Sequence, residues 1–224
     1  MGLKQRGLVF ATFFGSCIAI AFLLASLTTN QWVYSKAVRT NSTKATGEIN
    51  YGLFSGIKSL DVGYGMRSTP INVFELVNNE PNLMDFWLWL GAAAGTASGL
   101  ITSAVGAITS VLKAASAAKK RATMVLLFVA NWLSIISHII AFVCWLVQFI
   151  IYLNHNVLPS DDLKINWHTR GLASLGLSFY FVIISMFFVM INICILTYVH
   201  LSEKREQRFI DQPDEDKTNA IMLY

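Results

Sequence analysis

Charge is scarce in this sequence. Only 13% of its 224 residues are Asp, Glu, Lys or Arg, about half the roughly 25% of a soluble globular domain. By contrast, 54% are hydrophobic and the mean hydropathy is +0.53. A soluble fold of this size lacks the interior to hide so much apolar surface, and intrinsic disorder requires the opposite composition. Acidic residues are absent altogether from Phe86 to Ser160, where the only charges are Lys113, Lys119, Lys120 and Arg121. Cysteine is equally sparse. Cys17, Cys144 and Cys194 all lie in apolar runs, so no disulfide is expected in a polar loop, and no CxxC or Cys/His spacing suits zinc.

Chemical machinery is missing too. The apolar runs hold no acid to complete a Ser, His and acid triad, and there is no Walker-type loop, HExxH or paired carboxylate within a span. The chain reads as non-enzymatic, with no catalytic residue, no cofactor and no metal. Its net charge of +4 is explained by basic residues beside apolar runs, a pattern of membrane orientation and not of nucleic-acid binding.

What is present is four long apolar runs, each without a charged residue in its interior: 7–27, 86–112, 122–153 and 172–201. Runs of about 18 or more such residues read as membrane helices. The first, about 20 residues long, exceeds the h-region of a cleaved leader and lacks a small-x-small cleavage site, so it reads as retained. Lys4 and Arg6, then Lys113 to Arg121, then Lys204, Arg205 and Arg208 all fall on one side of a four-span chain. The positive-inside rule makes that side cytoplasmic. The expected layout is a cytoplasmic N-terminus (1–6), a long extracellular loop (28–85), a cytoplasmic loop (113–121), a second extracellular loop (154–171) and a cytoplasmic tail (202–224). Trp32, Trp87, Trp89 and Trp167 flank helix ends on the outer side, as an aromatic belt would. The single Asn-x-Ser/Thr sequon, at Asn41, falls in the long outer loop and is a candidate glycosylation site. The third run, at 1.5 Å per residue, is roughly 45–50 Å long. Its Tyr152 end is expected to project outward and support the long loop.

Small and polar residues recur on one face of each run, the device by which helices associate in lipid. The second carries Gly91, Gly95 and Gly99, with Ser98, Thr102, Gly106 and Thr109. The first aligns Thr12, Gly15, Ser16, Ala19 and Ser26. The third aligns Asn131, Ser134, His138, Ala141, Trp145 and Gln148, and the fourth Ser174, Ser178, Ser185 and Asn192. Interhelical hydrogen bonding, with His138 neutral and buried, is expected ahead of an ion path through Asn131, His138, Gln148 and Asn192. Intramolecular packing is expected ahead of homo-oligomerisation through the glycines. In the long loop, 31–34 and 48–57 read as strands, 62–70 as turns and 73–77 as a helical turn. Asp161 and Asp162 read as turn residues. Cys194 reads as a buried apolar cysteine, with palmitoylation as the other reading. Lys119, Lys120 and Arg121 set topology, and anionic lipid is their other reading.

The layout of four spans, a large first outer loop and a short second one resembles the claudin and peripheral myelin protein superfamily. There the first loop carries a Trp, then Gly-Leu-Trp and two cysteines; here Trp32 is followed by Gly52-Leu53-Phe54 and no loop cysteine. The segment Tyr51-Gly52-Leu53-Phe54-Ser55-Gly56 resembles more closely the Tyr-Gly-Leu-Phe-x-Gly segment of the clarin family. Trp32, Asn41, the 63–70 stretch and the tail ending Met222-Leu223-Tyr224 fit beside it. The resemblance implies an all-α membrane protein, a four-transmembrane-helix bundle with a small β-rich, claudin-like extracellular first loop. It further implies a plasma-membrane glycoprotein that organises or traffics membrane or scaffold proteins in sensory cells, at mechanosensory projections or synapses. A free carboxylate behind Met222, Leu223 and Tyr224 suits strand addition to a PDZ domain. Two alternatives stay open: a claudin-superfamily adhesion protein or auxiliary channel subunit, and a small transporter.

Overall fold

The computed structural model describes residues 3–40, 42–61, 63, 65–115 and 121–210. Four of its helices are long and apolar enough to cross a membrane. They are α1 (Leu3–Thr28), α3 (Phe86–Ala115), α4 (Arg121–Gln148) and α6 (Leu177–Ile210). A single π-helical turn, Phe149–Leu153, prolongs α4. Between α1 and α3 the chain forms β1 (Val33–Arg39), β2 (Ser42–Tyr51), β3 (Ser55–Asp61), β4 (Met66–Asn72) and the short α2 (Val73–Asn79). Between α4 and α6 come α5 (Ser160–Lys164), β5 (Trp167–His168) and β6 (Ala173–Leu175). The multi-pass helical bundle with a small antiparallel sheet at one end thus matches the expected architecture.

Each long helix buries the same kind of face. In α1 the buried residues are Gln5, Val9, Thr12, Ser16, Ala19, Leu23 and Ser26. In α3 they include Ala92, Thr96, Gly99, Ser103, Gly106, Ser110 and Lys113. In α4 they include Met124, Leu127, Asn131, Ser134, His138, Ala141, Trp145 and Gln148, and in α6 Ser178, Val182, Ser185, Val189, Asn192, Leu196 and Val199. All four series alternate steps of three and four, a mean period of 3.5. That period keeps a seam facing its partner only if the helices coil left-handedly around one another. Around the ring α1 lies beside α3 and α6, and α4 beside α3 and α6.

The sheet caps one end. Its strand order is β4-β3-β2-β1-β5, with β6 also on β1, every pair antiparallel. β6 pairs with the first part of β1 (Val33 with Leu175) and β5 with the last (Val38 with His168), so the second connection covers the free edge of β1. One apolar core runs unbroken from Leu23, Trp145 and Phe179 in the bundle to Val33, Ile49, Tyr51 and Leu158 in the cap. The cap is therefore an extension of the bundle and not an independent unit.

Several expectations are corrected. The stretch 62–70 is not all turn: glycine signals at Gly63 and Gly65 (φ +99° and +106°) mark only the hairpin, and β4 begins at Met66. Pro70 is tolerated because β4 is the sheet edge, where a missing N–H costs no ladder bond. The fourth helix starts at Leu177 and not 172, because residues 173–175 pair with β1; Ser174 therefore leaves the helix stripe and lies exposed. Ser98 is also exposed and Thr102 half-buried, since a 3.5 period moves positions 98 and 102 off the seam; Thr102 donates to the carbonyl of Ser98 in its own helix (2.9 Å). Cys194 faces outward instead of into the bundle.

Candidate functional site

The motif residues converge where cap meets bundle. Trp32 follows α1 by one short turn and is fully buried. Its indole N–H donates to Ser26 O at the end of α1 (2.7 Å), and its backbone N–H donates to Tyr51 O (2.8 Å). Its ring meets that of Trp145 edge-on at 4.9 Å. One residue thus ties α1, β2 and α4 together. The phenol of Tyr51, also buried, donates to Val157 O beyond the end of α4 (2.9 Å). Burial, and secondarily the nearby Asp162 carboxylate, hold that phenol above its ordinary pKa of 10.0.

Gly52, Leu53 and Phe54 form the turn between β2 and β3, closed by Gly52 N donating to Ser55 O (2.8 Å). A Cβ on Gly52 would come within 2.7 Å of Thr29 O, so only glycine lets the turn lie on the end of α1. Leu53 O accepts from the indole of Trp89 in α3 (2.7 Å), and Phe54 O accepts from Val73 N (3.1 Å). Gly56 leaves room for the Tyr51 ring, whose Cδ1 would lie 2.4 Å from an added Cβ. The Tyr-Gly-Leu-Phe-x-Gly segment is accordingly a joint: its donors, acceptors and missing side chains seat the cap on α1 and α3 and tie it to the second connection.

This arrangement corrects the aromatic belt. Trp32, Trp89 and Trp167 are 0%, 5% and 1% exposed, and only Trp87, at 74%, faces outward. Three tryptophans near helix ends are drawn inward because the cap supplies a core at that level. Asp161 and Asp162 are likewise more than turn residues. They open α5, and Asp162, itself buried, pairs with Lys58 of β3 (2.5 Å). Asp161 pairs with Lys164 (2.8 Å), whose hydrogen bond and charge lower the Asp161 pKa. Glu80 accepts from the hydroxyl of Ser160 (2.5 Å). These links between the two connections carry no local sequence signal, because the partners lie 80 and 104 positions apart.

The second candidate region is the bundle axis. The apolar core under the cap and a second apolar cluster of Val9, Met124, Leu127, Leu196 and Val199 at the other end enclose a polar mid-section. There Thr12 and Ser110 share a hydrogen bond (2.9 Å), as do Ser103 and Ser134 (2.8 Å), and Asn192 donates to Ser16 (3.1 Å). His138 donates from Nδ1 to Ser134 O (2.6 Å) and accepts at Nε2 from the hydroxyl of Ser185 (2.7 Å), whose oxygen lies 3.0 Å from Ala19 O. The imidazole therefore links α4 to α6, with Ser185 lying against α1. Asn131 donates to Leu127 O in its own helix (2.9 Å). No Asp, Glu, Lys or Arg is interposed among these groups. Among the described residues no cluster of His, Cys, Asp or Glu could hold a metal.

The glycine stripe faces α4 within the same chain. An added Cβ on Gly95 would meet Ala141 N and Ser137 O at 2.8 Å, one on Gly91 the Cys144 Sγ at 2.6 Å, and one on Gly99 the His138 ring at 3.3 Å. Across the ring Gly15 accommodates Asn192, whose Oδ1 would lie 2.2 Å from a Cβ there. Asn41, Lys119, Lys120, Met222, Leu223 and Tyr224 lie outside the described residues. No protein-family model and no curated protein matches this chain.

Proposed function

We propose that this chain is a clarin-like, non-enzymatic four-span protein of the plasma membrane, with both termini cytoplasmic, that organises or traffics partner proteins in sensory cells. The observation that carries the reading is the joint itself. The Tyr51 to Gly56 segment that resembles clarins spends its chemistry on seating a folded cap, so the cap is a display surface held rigidly on the membrane. The axis supports the same reading: its hydroxyls, Asn192 and His138 bond to one another across helices, which is a holding arrangement more than a conducting one. The tail ending Met222-Leu223-Tyr224 is the proposed PDZ-binding element and Asn41 the proposed glycan site.

Proximity labelling from the full chain in its native cells tests the role, with enrichment of membrane and PDZ-containing scaffold proteins expected. Equal enrichment after removal of Leu223 and Tyr224 would exclude the tail from it. A glycosidase-sensitive shift lost in Asn41→Gln, with a tag on Tyr224 stained only after permeabilisation, is the expected topology result.

A second reading, adhesion of the claudin-superfamily type, draws support from apolar residues displayed on the cap. Phe54 and Phe74, on segments joined by the Val73 N to Phe54 O bond, are 50% and 52% exposed. Aggregation of cells expressing the chain, lost in a Phe54→Ser, Phe74→Ser variant, would favour it.

A further inference from the structure

At the end of the bundle opposite the cap, α1 and α3 part to leave a groove of about 490 Å³, lined by Leu3, Arg6, Gly7 and Phe10 on one wall and Val111, Ala114 and Ala115 on the other. The lining is apolar apart from Arg6. The groove exists because its walls are small. A Cβ on Gly7 would meet nothing within 4 Å, so this helical glycine is not required by any contact with a neighbouring helix. Glycine inside a helix is unfavourable relative to alanine, and here its effect is to keep the wall low.

The charged residues of α1 at the groove, among those described, are both basic. Arg6 stands in the lining and Lys4 is exposed beside it. Neither makes an ion pair with a described residue. Glu206 of α6 accepts from the side-chain amide of Gln5 (2.9 Å). A half-buried arginine without an ion-pair partner among the described residues, in the wall of an apolar trough, matches one occupant in chemistry. It is a lipid whose headgroup carries net negative charge, its acyl chain lying in the trough and its headgroup at Arg6.

We infer that the α1–α3 groove is a binding site for an anionic phospholipid. The full chain in mild detergent, titrated with phosphatidylserine or with phosphatidylcholine of the same acyl chains and read by native mass spectrometry, tests this. Phosphatidylserine is expected to occupy the site at least about fivefold more tightly, the order of one basic contact with an anionic lipid. Arg6→Gln should bring the two lipids level. Gly7→Leu leaves every charge in place but fills the trough, and should cut retention of both lipids about tenfold. Ala115→Leu fills it from the opposite wall and guards against a folding defect in the first variant. Glycerophosphoserine, the headgroup without acyl chains, should not displace the lipid. Undiminished phosphatidylserine binding by both filling variants would overturn the site, since attraction by diffuse charge would survive them. Equal binding of the two lipids by the unaltered chain would overturn its anionic selectivity.

Discussion

The cap and the bundle are held together by different physics, and the difference is visible in which residues are indispensable. In the cap, large side chains fill space: Trp32, Tyr51, Ile49, Leu53 and Trp167 are fully or almost fully buried. Along the bundle axis, glycine, alanine, serine and threonine recur at the close contacts of α1, α3 and α4. In lipid, burying a leucine between helices gains little over leaving it among acyl chains, so close backbone approach and interhelical hydrogen bonds must do the work. The cap faces water, where area removed from solvent is itself stabilising. Changes that add atoms should therefore damage the bundle most, and changes that remove atoms should damage the cap most.

The largest expected effect tests the first half of that contrast. Gly95→Ala would place a Cβ 2.8 Å from Ala141 N and Ser137 O. Both obstacles are backbone, so the variant is expected to lose the native state in thermal or denaturant unfolding in detergent. Gly106→Ala is the internal control. Its Cβ would sit 3.6 Å from Asn131 and Ser16, and with ordinary contact it should gain up to about 1 kcal/mol from helix propensity. A destabilised Gly106→Ala, or a tolerated Gly95→Ala, would break the comparison.

Next in size are the atom-removing changes in the cap. Trp32→Ala leaves a cavity between α1, β2 and α4 and is expected to cost about 3–5 kcal/mol. Lys58→Ala strands the buried Asp162 carboxylate and should cost about 3 kcal/mol, most of it recovered in the Lys58→Ala, Asp162→Asn pair. Tyr51→Phe removes the bond to Val157 O and should cost about 1–2 kcal/mol. It should also change the alkaline limb of stability. The folded phenol titrates above its ordinary value of 10.0, so its contribution is complete below about pH 10 and falls as pH rises beyond that. The Phe variant should show a shallower loss over the same range.

The smallest effect is expected in the bundle. Ser103→Ala deletes the bond to Ser134 but adds no atoms, and should cost about 0.6 kcal/mol, the typical value for a hydrogen bond between membrane helices. A cost comparable to that of Trp32→Ala would mean that the polar mid-section, and not close packing, carries the bundle.

The parts of this design legible in the sequence are those governed by local periodicity. Positions such as Thr12, Ser16, His138 and Asn192 stand out because a polar residue in a long apolar run has only the bundle interior to face. Ser98, Thr102 and Ser174 show the limit of that reasoning. The first two share the glycine stripe at an ideal helical period but leave the seam when the helices coil at 3.5. Ser174 looks helical until β1 claims it as a strand partner. In the cap, Gly63 and Gly65 announce a hairpin but cannot announce its second strand, since β4 owes its form to β3 and not to its own composition. The tryptophans misled for a similar reason: an amphipathic ring near a helix end suits the membrane interface equally well, and only the presence of a folded cap decides that three of the four turn inward.

Composition and periodicity alone determined that the chain has four apolar helices, which face of each turns inward, and that one end is basic. All three are one-dimensional facts, imposed by the cost of placing charge and unpaired polar groups in hydrocarbon. Tertiary structure alone decided that the second connection completes the sheet begun by the first, that Lys58 meets Asp162, and that α1 and α3 separate at the basic end to leave a groove. Those depend on contacts between residues a hundred or more positions apart, and no local preference encodes which distant surface a strand edge, a buried charge or a low glycine wall will find.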